Sequence, residues 1–214
     1  GTERREAMSR VKICGLKTVE EIRMVNDLLP DYVGFVFAKS KRQISFSQAI
    51  AMKQNLSAKI KSVGVFVNAP KEEVLQAASL GIVDLLQLHG DEDWEYVQQI
   101  KAETGLPVIK AIRVRNREDI LRGEELPCDY LLLDTYRAGA YGGCGEVFDW
   151  KLIPMLKKPF FLAGGLNGEN VEKAVSRCCP FAVDVSSAVE EQGRKSEEKV
   201  RKFLKKVREV QKYE

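Results

Sequence analysis

KPFFLAGGLNGENVEKAVSRCCPFAVDVSSAVE, residues 158–190, contains one device twice. An apolar strand (160–163, then 181–185) runs into a turn of small residues, Gly164-Gly165 and then Ser186-Ser187, and on into a helical segment. Glycine lets backbone N–H groups approach a ligand closely, serine adds hydroxyl donors, and a helix N-terminus offers unpaired N–H groups to an anion. Either turn alone also reads as an ordinary strand-to-helix connection. Two in consecutive units converge on one phosphate if their strands are parallel neighbours, as in the loops after strands 7 and 8 of a (β/α)8 TIM barrel. The expected fold class is therefore α/β, a single (β/α)8 barrel.

The rest of the chain repeats the unit. Residues 11–14 form a short strand closed by Gly15, followed by a capping box at Thr18 and Glu21 and a helix whose Val19, Ile22, Val25, Leu28 and Leu29 line one face. Residues 32–37, 63–67, 85–88, 107–112 and 130–133 read as further strands. Helices are expected from near Ser45 or Ser47, from Asn68-Ala69-Pro70 to Gly81, around Trp94, Val97 and Ile100, over 117–121, and as a short segment after Phe148-Asp149-Trp150. The strands are continuous apolar runs, which indicates a parallel sheet covered on both faces. Eight strand–helix units close most simply as a barrel; an open doubly wound sheet is the alternative, but no GxGxxG follows the first strand. Residues 1–9 read as an extension, native or left over from expression, and 10–214 as the catalytic barrel.

Composition bounds the partners. The 214 residues are 44% hydrophobic and 30% charged, which suits one domain with a full core. With 34 basic and 31 acidic residues there is no electrostatic footprint for nucleic acid. The apolar runs are strand-sized, short of the ~20 residues that span a bilayer, so no membrane partner is expected. Five cysteines without a CxxC pair, and a single histidine, give neither a disulfide framework nor a metal site, and free thiols suit a cytoplasmic protein. Residues 194–212 read as an amphipathic helix with Val200, Phe203, Leu204, Val207 and Val210 inward.

On a barrel, chemistry belongs at the C-terminal strand ends. Cys14 closes the first strand and Asp134 the sixth, a thiol and a carboxyl that could face one another as base and acid. Their plain structural readings are a small buried hydrophobe and a helix cap. Lys12 shares the strand face of Cys14 and would stabilise a thiolate. Arg42, in the basic loop after strand two, would bind an anionic group away from the phosphate turns. His89 ends strand four as a candidate substrate contact, and Asp184, Ser186 and Ser187 would orient a phosphorylated ligand. Gly143 lies in a glycine loop, 142–145, placed to act as a lid.

VKICGLKT around Cys14, GFVFAKSKRQIS around Arg42, VGVFVN at 63–68, LLQLHGDE around His89, LLLDT around Asp134, FDW at 148–150, FLAGGLNGENV at 161–171 and FAVDVSSAVE at 181–190 occur in order. Together they resemble the phosphoribosylanthranilate isomerase family of tryptophan biosynthesis. The resemblance implies a cofactor-free Amadori rearrangement of a phosphosugar, N-(5-phosphoribosyl)anthranilate, into 1-(2-carboxyphenylamino)-1-deoxyribulose 5-phosphate. It implies Asp134 as the acid that opens the furanose ring, Cys14 as the base that removes the C2 proton, Arg42 as partner of the anthranilate carboxylate, and the Gly164-Gly165 and Ser186-Ser187 turns as the phosphate site. A monomer and a homodimer are both compatible with it. Cys144 replaces the hydroxyl residue of the family's glycine loop, Ala188 a glycine, and Ser196 a common aspartate. Two other functions stay open: the sister isomerase of histidine biosynthesis, which resembles an aspartate-based version of the same site, and a non-catalytic barrel that binds phosphorylated ligands.

Overall fold

The computed structural model describes residues 8–138 and 145–210. Parallel strands β1 (Arg10–Cys14), β2 (Tyr32–Val36), β3 (Lys61–Phe66), β4 (Leu85–Leu88), β5 (Val108–Val114), β6 (Tyr130–Thr135), β7 (Phe160–Leu162) and β8 (Ala182–Val185) form a closed barrel in chain order. Closure is made by β8 on β1, from Arg10↔Ala182 to Ile13↔Val185. Among the described residues seven α-helices cover the barrel: α1 (Val19–Leu28), α2 (Phe46–Asn55), α3 (Lys71–Ser79), α4 (Trp94–Thr104), α5 (Arg117–Glu124), α6 (Val171–Cys178) and α7 (Glu197–Glu209). None is long and apolar enough to cross a membrane.

Local chemistry sets the helix starts. Thr18 and Glu21 form the capping box of α1, and Ser45 with Gln48 forms another, which fixes the start of α2 at Ser45 rather than Ser47. Asp93, Asn116 and Ser196 each cap a helix through the side chain, so Ser196 does the work of an aspartate there.

Strand alternation divides the apolar residues between two cores. Outward side chains such as Ile13, Phe35, Leu86, Leu131 and Val183 pack under the helices, while Tyr32, Val63, Leu85, Ile109, Leu132, Phe161 and Ala182 fill the barrel. Both faces of every strand are thus buried, which is why the strands read as continuous runs. At the N-terminal end Tyr32, Tyr130, Phe161 and Phe181 interlock, with ring centroids 5.1 Å apart for Tyr130 and Phe181, and the Arg10 guanidinium stacks 4.4 Å over Phe181.

Three expectations change. Among its described residues the β6–β7 connection carries only a 3-10 turn, Trp150–Leu152, because Pro154 holds Ile153 extended at ψ 113° and stops the helix. After Ser186 a 3-10 turn, Ser187–Val189, stands where a helical segment was expected. A two-stranded hairpin, β9 (Glu190–Glu191) with β10 (Arg194–Lys195), follows it and delays the last helix to Glu197.

Candidate active site

The inward positions at the C-terminal strand ends line a cavity of about 500 Å³ containing Cys14, Gln87, His89, Asp134 and Asp184, with Arg42, Gly164, Gly165, Ser186 and Ser187 at its rim. Lys12 lies beneath Cys14, wholly buried. A larger groove, about 1100 Å³, runs along 147–160 and 177–181 at the surface and contains none of these residues. Gly143 and Cys144 fall outside the described residues.

A line of polar contacts crosses the cavity floor. Lys12 Nζ stands 3.2 Å from Asp184 Oδ1 and donates to Gln87 Oε1 at 2.7 Å. The Asp184 contact is one of charge, not an aligned hydrogen bond, since Oδ1 has no such partner. Gln87 Nε2 is 2.8 Å from His89 Nδ1, and His89 Nε2 is 3.0 Å from Asp134 Oδ2. The Thr135 N–H donates to Asp134 Oδ1 at 2.8 Å. Asp184 thus faces Lys12 on the wall of the cavity that the Gly164-Gly165 and Ser186-Ser187 turns also line.

Burial would lower Lys12, but Asp184 and Cys14 beside it outweigh that and hold the ammonium form. Burial pushes the Cys14 thiol up; Lys12 and Lys195 pull it down without reversing the direction, and Asp184 adds to the rise. Burial also raises Asp184, against Lys12. One cation therefore serves two acids, and the intrinsically stronger acid, the carboxyl, takes it first.

Arg42 forms a two-pronged pair with Glu190, Nε to Oε2 at 3.0 Å and Nη2 to Oε1 at 2.7 Å. Lys195 Nζ reaches the same carboxylate at 2.9 Å. Burial alone would raise Glu190, but the two cations bring it to about 2, and the bond to Glu190 raises Arg42. A guanidinium has five N–H donors in a fixed fork, so its remaining edge is available to a second carboxylate. Ser186 Oγ donates to the Cys14 carbonyl at 3.0 Å and receives Lys195 Nζ at 3.2 Å, which commits its hydroxyl proton to the protein.

Gly164 and Gly165 adopt φ of +84° and +66°, and a Cβ on them would come within 2.5 Å of Thr135 Oγ1 and 2.6 Å of the Glu146 carbonyl carbon. The turn is therefore packed closely against the end of β6 at Gly164 and against Glu146 at Gly165. Gly34 is a constraint that the sequence did not announce: a Cβ there would sit 2.5 Å from Cys14 Sγ. Glu190, Lys195 and Gln87 were missed as well. Gln87 alone left a signal, an amide at an inward position of the run LLQL.

A family model described as N-(5'phosphoribosyl)anthranilate (PRA) isomerase matches residues 11–206. The chain belongs to this family. N-(5'-phosphoribosyl)anthranilate isomerase of Lachnoclostridium phytofermentans is 46% identical over 208 residues, 91% of this chain and 95% of that one. The isomerase of Thermoanaerobacter pseudethanolicus is 47% identical over 203 residues, 94% of this chain and 98% of its own. Among solved structures, the phosphoribosyl anthranilate isomerase of Thermotoga maritima superposes with a TM-score of 0.81 at 38% identity, covering 94% of this chain and 99% of that one. A family structure in complex with reduced 1-(o-carboxyphenylamino)-1-deoxyribulose 5-phosphate superposes at 0.79 with 37% identity, covering 94% and 99%. The family assignment makes this chain an isomerase and agrees with the barrel fold.

Proposed function

We propose that this chain converts N-(5'-phosphoribosyl)anthranilate to 1-(2-carboxyphenylamino)-1-deoxyribulose 5-phosphate, with Asp134 as general acid and Cys14 as general base. The observation that carries the reading is the placement of that thiol and that carboxyl on the wall of one cavity, at strand ends of a barrel of this family. Asp134, carrying a proton in the complex, delivers it to the furanose ring oxygen as the anthranilate nitrogen lone pair breaks the C1–O bond, leaving an open-chain Schiff base. Cys14, as thiolate, removes the C2 proton, and the electron pair moves into the C1–C2 bond to give an enolamine. Return of that proton to C1 and loss of the enol O–H proton to the Asp134 carboxylate give the ketose and restore both groups.

Arg42 would receive the anthranilate carboxylate on the edge that Glu190 leaves open. The Gly164-Gly165 turn and the Ser186-Ser187 backbone would receive the phosphate through N–H groups.

The test is the loss of anthranilate fluorescence from substrate generated in situ, comparing the unaltered protein with Cys14→Ala and Asp134→Asn. Each substitution is expected to lower kcat by at least about 100-fold, the scale of a positioned acid or base, with product-analogue binding kept. Full activity in either variant would remove the role assigned to that residue.

A further inference from the structure

Gln87 is 1% exposed inside the barrel and the reaction written above gives it no task. On the inward face of β4 it lies between Leu85 and His89, and a buried amide is unfavourable unless both its ends are bonded. Here both ends are, and their order has a chemical consequence. Lys12 Nζ is a donor only, so the Gln87 atom 2.7 Å away has to be the carbonyl oxygen. The other end is then the NH2 group, which only donates, and it lies 2.8 Å from His89 Nδ1. A neutral imidazole whose Nδ1 accepts carries its proton on Nε2. That nitrogen is the one 3.0 Å from Asp134 Oδ2.

We propose that Gln87 is a positioning residue that locks His89 in its Nε2–H tautomer, so that the imidazole donates to Asp134 and cannot take the proton Asp134 delivers to substrate. With the opposite tautomer a bare Nε2 would face the carboxyl and compete with the ring oxygen for its proton. Lys12 is the origin of the order: its ammonium sets the amide, the amide sets the ring, and the ring sets the hydrogen bond on the acid. The inference rests on Asp134 being the acid.

The chain has a single histidine, so the ring nitrogens of a 15N-labelled sample give one set of signals with nothing to confuse them. At a pH where the ring is neutral, the unaltered protein is expected to show a protonated Nε2 and an unprotonated Nδ1. Gln87→Glu, which offers an acceptor in place of the NH2 group, is expected to protonate Nδ1. Gln87→Met, of similar volume and without the amide, is expected to give a mixture of tautomers. Both variants should lose about 100-fold in kcat with KM within about threefold, because Arg42 and the two phosphate turns are unchanged and the proton transfer is not. A protonated Nδ1 in the unaltered protein overturns the proposal, even if neither variant folds. A shifted tautomer with unchanged kcat overturns it too. Full activity of Asp134→Asn would instead withdraw the underlying acid assignment and leave the tautomer measurement standing.

Discussion

Glu190→Gln removes one charge at nearly constant shape from a site where three groups converge. The carboxylate is held by Arg42 at 2.7 and 3.0 Å and by Lys195 at 2.9 Å, and its side chain is only 9% exposed. Its folded-state value of about 2, against an ordinary 4.5, corresponds at about 1.4 kcal/mol per pH unit to at most about 3.5 kcal/mol, which solvent screening brings to about 3 kcal/mol. Because the folded value is depressed, the contribution is complete above the ordinary value and disappears as the pH falls from about 4.5 to about 2. The variant should therefore be about 3 kcal/mol less stable at neutral pH, with a urea midpoint lower by about 1 M or more, and the gap should close steadily in acid. Paired urea titrations at several pH values measure it. A gap that is absent at neutral pH, or that persists unchanged in acid, would show that the triad does not hold Glu190 ionised as described. The same variant frees Arg42 from its tether, so KM for the phosphorylated substrate should rise.

The shared cation beneath Cys14 gives two opposed predictions. Lys12→Met should push the Cys14 thiol further up and Asp184→Asn, by leaving Lys12 to the thiol alone, should bring it down; the pH dependence of alkylation at Cys14, in a background with the other cysteines replaced, reads both. No movement in either variant would separate Lys12 from the thiol. Gly34→Ala places a methyl group where Cys14 Sγ now lies within 2.5 Å of the new carbon, so the thiol must turn away. The expected result is a large loss of kcat in the fluorescence assay with an unchanged circular dichroism spectrum; retained activity would mean that the strand pair gives way instead.

The barrel and the ends of its strands were legible because burial on both faces leaves continuous apolar runs, and because capping residues act over three or four positions. Cys14 and Asp134 stood out for the same reason, as polar interruptions at the ends of such runs. What stayed hidden depends on distant pairs. Nothing near Arg42 names Glu190, which lies 148 residues away, and Gly34 is constrained by its neighbour on β1, not by any turn of its own. The hairpin of β9 and β10 has strands of two residues, too short for any periodicity to show, yet it is what brings Lys195 to Glu190 and Ser186. The helix expected after Trp150 failed for a local reason, Pro154, whose effect on the preceding residue was available in the sequence.

The interlocked rings of Tyr32, Tyr130, Phe161 and Phe181 make the barrel a cul-de-sac. Among the described residues the cavity opens at the opposite end, so a ligand that enters over the rim leaves over it. A reactant and the compound made from it cannot pass one another, so the compound formed occupies the berth until it leaves and excludes its successor by simple competition.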